Sequence, residues 1–235
     1  MSIQKRYILF FIGIMIQAAG VTLVVKSILG TSPISSLPYV LGVASSYSLG
    51  LTTFLVNLVF MLAQFAILGQ RFQRIQLLQL PIMIVFSAVI DVYMYIFSAL
   101  QPEAYGLKLV LLLVGTICIA LGVSLQVIAD VIMLSGDGFV NAVATRWHFS
   151  FGKVKTMFDT ILVVLAVITS LVWIGDIEGI REGTLVSAVI TGTIARFFID
   201  RLGTIDEYGR LIFAPHFAKR SARPAPRKLV FTDKD

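Results

Sequence analysis

Charge is the first thing this sequence has little of. Of its 235 residues, 14% are Asp, Glu, Lys or Arg, against roughly 25% in a soluble domain. A soluble enzyme is excluded on that ground, and so is a disordered chain, which needs charge rather than apolar surface. Cysteine is nearly missing too. Cys118 is alone, so no internal disulfide can form and no thiolate cluster can hold a metal. The two histidines, His148 and His216, lie far apart. No Walker loop, no H-E-x-x-H and no G-x-S-x-G occurs, and no nucleophile stands beside a base. The expectation is a protein that is not an enzyme and carries no metal or cofactor.

What is present is apolar. Hydrophobic residues make up 57% of the chain, 17 of them Phe, and the mean hydropathy is +0.92. About 20 apolar residues cross a bilayer core as a helix. Six stretches qualify: Tyr7–Leu29, Leu51–Leu68, Leu77–Leu100, Leu107–Ala129, Val154–Ile174 and Thr184–Leu202. None alternates with period two, which argues against a β-barrel. The first follows Lys5-Arg6 as a signal peptide would, but it runs on to Leu29 and has an echo later in the chain, so a retained helix is expected.

Two more apolar segments, Pro33–Ser46 and Asp137–Trp147, are too short to span. Each follows turn formers, Gly30-Thr31-Ser32-Pro33 and Ser135-Gly136-Asp137-Gly138, that suit fresh helix starts. They read as re-entrant helices, a shape tolerated at membrane depth only when buried in protein or lining a wet cavity.

Charge placement fixes orientation. Basic residues lie before the first span (Lys5, Arg6), at Gln70–Gln76 (Arg71, Arg74), at Arg146–Lys155 and in the tail. Seven of the 19 Lys and Arg follow Leu202. The remaining connections, Gln101–Gly106 and Gly175–Gly183, are mostly acidic. Six crossings put every basic connection on one side; eight would break that pattern. The positive-inside rule then places both termini in the cytoplasm. The expected domains are a membrane domain over 1–202 and a basic, disordered cytoplasmic tail over 203–235. That tail reads as resting on anionic lipid rather than nucleic acid.

The halves resemble each other. GIMIQAAGVTL at Gly13–Leu23 aligns with GTICIALGVSL at Gly115–Leu125, 102 positions on. Gly13 meets Gly115, Gly20 meets Gly122, Ser48 meets Ser150 and Asn57 meets Asp159. Repeat one covers about 7–100 and repeat two about 107–202. Three crossings per half is odd, so the halves insert in opposite senses, as in inverted-repeat transporters. The tips of the two short helices would then approach near the midplane. Their unpaired N–H groups would face a polar or anionic ligand there.

Three segments carry a family resemblance: AAGVTLVVKSILGTSP (Ala18–Pro33), SFGKVKTMFD (Ser150–Asp159) and EGTLVSAVITGTIARFFID (Glu182–Asp200). The chain resembles the YczE/YyaS/YitT-type bacterial integral membrane proteins, largely uncharacterised, over about Tyr7 to Leu202. The resemblance implies a multi-pass protein of the bacterial inner (plasma) membrane, and transport, without giving a substrate. One departure touches specificity: Ile34-Ser35 stands where members often carry Trp-Asp.

A charge at the bilayer centre costs roughly 2.5–3.5 kcal/mol, so polar groups inside the spans are the site candidates. Asp159 lies about five residues into the fifth span, with Asn57 at the matching depth in the second. As a carboxylate, Asp159 suits a coupling proton or sodium. The bland alternative for both is a hydrogen bond that packs helices, worth about 0.6 kcal/mol. Asp137 reads as an N-cap or, with Ser135, as one lip of a central site. Thr31, Ser32 and Pro33 form the facing lip. Asp91, past the middle of the third span, has no local partner in sequence. Arg196 and Asp200, one turn apart, read as a structural ion pair. Ser187, Ala188, Thr191, Gly192 and Ala195 give the last helix a small face for close packing, internal or in a homodimer.

These residues support a small-solute secondary transporter or permease. It would have six transmembrane helices as a 3+3 inverted repeat and a midplane site for a small polar or anionic solute. The alternative is a membrane scaffold or signalling partner that transports nothing, in which the interior polar groups merely satisfy one another.

Overall fold

The chain is described by a computed structural model that covers residues 3–69, 72, 74–149, 151–202, 204–205 and 211–212. It is helical: α1 (Ile3–Lys26), α2 (Pro33–Ser45), α3 (Leu49–Leu68), α4 (Gln79–Ile96), α5 (Tyr105–Ala129), α6 (Ser135–Arg146), α7 (Phe151–Trp173) and α8 (Glu182–Leu202). A 3-10 turn, Arg74–Leu78, leads into α4. Thr204–Ile205 and Leu211–Ile212 form a two-residue antiparallel pair. Among the described residues, six helices (all but α2 and α6) are long and apolar enough to cross a membrane. Their outward faces carry large apolar side chains such as Ile12, Val59, Val92, Val164 and Val189. In lipid that costs nothing, whereas in water it would be a liability.

The short helices start where the turn formers stand. Pro33 occupies the first turn of α2, where no N–H is needed. Within α2, Pro38 has no N–H to return to the Ile34 carbonyl. Ser48 caps α3 by accepting from the Leu51 N–H at 3.1 Å. The helix α6 begins at Ser135, two residues earlier than the apolar pattern suggests.

The two halves share a backbone plan. Ser135 opens α6 102 positions after Pro33 opens α2. Among the described residues, four non-glycine residues have positive φ: Ile28 (61°), Ser46 (59°), Asp130 (46°) and His148 (58°). They too fall into two pairs 102 apart. Left-handed backbone at a non-glycine residue is uncommon, so such pairing is not expected by chance.

The core is the crossing of α1 and α5, which run antiparallel. Arg6 reaches the Ala129 carbonyl (2.8 Å) and the Asp130 carboxylate (2.7 Å) at one end. Gln126 donates to Gln17 at 2.6 Å further along. Four glycines let the backbones touch. A β-carbon on Gly13 would lie 2.8 Å from the Gly122 carbonyl oxygen, and one on Gly122 would lie 2.6 Å from that of Gly13. Gly20 and Gly115 stand in the same reciprocal relation, at 2.7 and 2.9 Å. Small residues at such a seam are what membrane helices use to pack closely.

Around this crossing, α2 packs on α7 and α3 packs on α6; α4 flanks α1 and α8 flanks α5. Exchanging the halves maps each pairing onto another. The correspondence is not complete. Whereas α4 also packs on α3, α7 and α8 share no comparable contact among the described residues.

Candidate functional site

The first turn of α6 is surrounded by four other helices. On one side, Asp137 turns to α7, where Lys155 Nζ stands 3.2 Å from Asp137 Oδ1 and 3.0 Å from Asp159 Oδ1. These three side chains are roughly two-thirds to three-quarters buried. Lys155 and Asp159 are four apart on α7 and so share a face. The ammonium also lies 5.5 Å from the centroid of the Phe158 ring. That ring packs edge-on against Phe60 of α3 at 5.0 Å and beside Phe139 of α6 at 5.5 Å.

Next in the turn, Gly136 faces α2. A β-carbon there would lie 2.6 Å from Ile34 Cδ1, so the starts of the two short helices are in contact. On the third side stand two amides. A β-carbon on Gly138 would lie 2.8 Å from Gln64 Oε1 and 3.0 Å from Gln79 Nε2. Gln64 is 1% exposed and Gln79 2%. Ser135, wholly buried, donates towards Gln79 Oε1 at 3.2 Å and lies 2.8 Å from the Met83 sulfur. Gln64 Oε1 has no hydrogen-bond partner.

The structure therefore brings Asp137 and Asp159 together and adds Ser135 to the same turn. The link is Lys155, which the sequence places in a basic connection. Its signal was the i, i+4 spacing to Asp159. Asp137 is not an N-cap: α6 starts at Ser135, so Asp137 falls inside the first turn, where its carboxylate is drawn to Lys155. Gln64 and Gln79 gave no signal, because a neutral amide is ordinary in a packed bundle.

The other candidates lie elsewhere. Asn57, 7% exposed, donates to the Thr53 carbonyl at 2.9 Å, a bond within α3. Thr31 is bound to the start of α8 and the connection before it: its N–H donates to Thr184 Oγ1 (3.1 Å) and its hydroxyl to the Gly179 carbonyl (3.0 Å). Together with Tyr39, Glu178 and Arg181 it borders a small cavity of ≈ 50 Å³. Ser32 donates to the Ser35 hydroxyl at 2.8 Å, and Pro33 is buried in the first turn of α2. Contact with the α6 lip is thus made by Ile34, one residue beyond the three expected. The pairing expected of Arg196 and Asp200 falls on side chains outside the described residues, as does most of the tail.

Asp91 does have partners, though distant in sequence. Ser48 donates its hydroxyl to Oδ2 at 2.7 Å, and the Gly50 N–H donates to Oδ1 at 2.7 Å. A carboxylate on the first N–H groups of α3 is a cap supplied by another helix. Each hydrogen bond to a charged group is worth about 1.5–3 kcal/mol. Asp91→Ala is accordingly expected to lower stability by about 2–4 kcal/mol and Asp91→Asn by about 1, read as thermal unfolding in detergent. An Asn variant that keeps its Tm but alters solute flux would make Asp91 a ligand group instead.

Residues 4–200 match the model of a family of unknown function, DUF6198. No curated protein and no solved structure matches the chain.

Proposed function

The chain belongs to that family, and we propose that it is a secondary transporter for a small polar solute, with its site between inverted repeats. The observation that carries this reading is the Asp137–Lys155–Asp159 cluster. Its charges stand inside a helix bundle, at the start of a helix too short to span, where that helix meets the start of another. Charged groups at membrane depth are costly and usually mark a substrate or ion path.

The repeat reading is supported by the 102-residue interval between the starts of α2 and α6 and between the left-handed residues. It is supported further by the antiparallel run of α1 and α5. Equivalent helices in direct contact and pointing in opposite senses are what inverted halves would give. On this reading α2 and α6 are re-entrant from opposite sides. The protein is multi-pass in a bacterial inner membrane, with both termini in the cytoplasm as the basic connections require. A proton or sodium at Asp159 is the coupling ion. The resemblance to YczE/YyaS/YitT-type proteins belongs to the same proposal.

A scaffold without transport is favoured by one set of observations: Gln17 pairs with Gln126, and Asp91 is fully engaged at the start of α3. Proteoliposomes separate the two. Flux of at least one member of a metabolite panel is expected with the wild type, falling about tenfold or more with Asp159→Asn, as the loss of one transition-state interaction of about 1.4 kcal/mol gives. Folded protein that moves no solute leaves the scaffold.

A further inference from the structure

We propose that the first turn of α6 and the facing turns of α7 bind a small organic cation, a primary or methylated ammonium, whose place Lys155 takes when the site is empty. This names the substrate class for the transport reading and rests on that reading only for movement, not for binding.

Charge balance comes first. Asp137 and Asp159 carry two negative charges and Lys155 one positive, so the cluster holds one negative charge in surplus. An ammonium in the place of Lys155 keeps that balance, whereas an anion there would gather three negative charges in a medium of low dielectric. A bare helix N-terminus favours anions, but in α6 that attraction is already met by Asp137 in the first turn.

Hydrogen-bonding capacity points the same way, and independently. Gln64 Oε1, on a side chain 1% exposed, has no donor and is aimed at Gly138 in this turn. An orphaned buried acceptor costs about 1–3 kcal/mol. Asp159 Oδ1 has the Lys155 ammonium at 3.0 Å, a donor that leaves when Lys155 does. The surplus is of acceptors, and the ligand that satisfies it must bring donors.

Shape supplies the third argument. Lys155 Nζ already lies over the Phe158 ring at 5.5 Å, with the Phe60 and Phe139 rings against that one. Carboxylates beside aromatic faces are the surroundings that attract ammonium groups. Lys155 is a point charge on a flexible four-carbon stem. It stands near the start of α7, so it can swing towards the membrane surface and keep its charge hydrated. An incoming ammonium then replaces it like for like.

The test uses the full-length protein in detergent, with methylammonium and trimethylammonium chloride as probes and sodium chloride and sodium acetate at equal ionic strength as controls. Calorimetric titration should show saturable amine binding with a rise in Tm, weakened about tenfold or more by Asp159→Asn. Acylation of Lys155 in the wild type, read by mass spectrometry, should rise several-fold as trimethylammonium, which forms no amide, saturates the site. This second readout needs no variant to fold.

Saturable binding of acetate in place of the amines overturns the proposal, and so does an amine-induced shift no larger than that given by sodium chloride. No saturable effect of either amine on folded wild type also overturns it. Amine binding with unchanged Lys155 acylation overturns the replacement step. Amine binding without flux sinks the transport reading and leaves this one standing; flux of other solutes without amine binding does the reverse.

Discussion

Replacing Gly20 by leucine is expected to abolish assembly of the bundle, while Gly192→Leu on α8 is expected to leave it intact. A β-carbon on Gly20 would lie 2.6 Å from the Ile119 nitrogen and 2.7 Å from the Gly115 carbonyl oxygen, both backbone atoms that cannot rotate away. From the other helix, a β-carbon on Gly115 would lie 2.8 Å from the Val24 nitrogen. A side chain at either position therefore forces α1 and α5 apart along their whole length. Ordinary overpacking costs about 1–3 kcal/mol because neighbours repack. Here the seam itself opens, with the Gln17–Gln126 bond on it, and helix association in lipid depends on that closeness. The loss should exceed about 3 kcal/mol, read as disappearance of the monodisperse peak in size exclusion. Gly192 has open space around it. A normal peak and Tm for Gly20→Leu would mean that α1 and α5 do not cross at these glycines. Gly20→Ala and Gly115→Ala combined should also be non-additive, because both changes act on one contact.

The spans were legible in the sequence because length and hydropathy decide them almost alone. Each of the six stretches falls on a helix that can cross, and the two short segments fall on α2 and α6. The errors are at the ends, where local polar residues rather than hydropathy set the boundary. The helix α1 stops at Lys26 instead of Leu29, because Ile28 turns left-handed and the Ser27 hydroxyl takes up the Val24 carbonyl. On α4 the apolar run begins in a 3-10 turn before Gln79.

The site was legible only where a charge stood out against an apolar background. Asp159 and Asp137 did; Lys155 did not, because it sits with Arg146 and Lys153 in a basic connection that reports orientation. A local charge sum cannot say which member of a basic group turns inward. That depends on what α6 presents to α7. Asp91 was visible, but its partners lie 41 and 43 positions away, beyond any spacing rule for a single helix. Gln64 and Gln79 belong to a third class, residues whose role exists only once α3, α4 and α6 meet. The matched glycines worked in the opposite direction: Gly13, Gly20, Gly115 and Gly122 signalled a repeat in the sequence and turned out to be the contact itself.

Lys155→Met should be the most destabilising change at the candidate site, and a second substitution should partly reverse it. The ammonium lies within 3.2 Å of both carboxylates. Without it, Asp137 and Asp159 face each other as like charges, with a methionine in place of their partner. Breaking a fully buried ion pair costs 3–5 kcal/mol, and a fully exposed pair is worth about 0–1. With side chains 27–32% exposed, a loss of about 2 kcal/mol is expected. Lys155→Met with Asp159→Asn removes one of the opposed charges and should recover about half. Asp137→Asn alone leaves the Lys155–Asp159 pair neutral and should sit near the wild type. That order follows from the charge count, not from volume, since methionine fills much of the space of the lysine stem. Unfolding in a graded mixture of detergents reads all four proteins on one scale. If Lys155→Met is as stable as the wild type, the three groups do not act as one unit, and the cluster loses its claim to be the centre of the site.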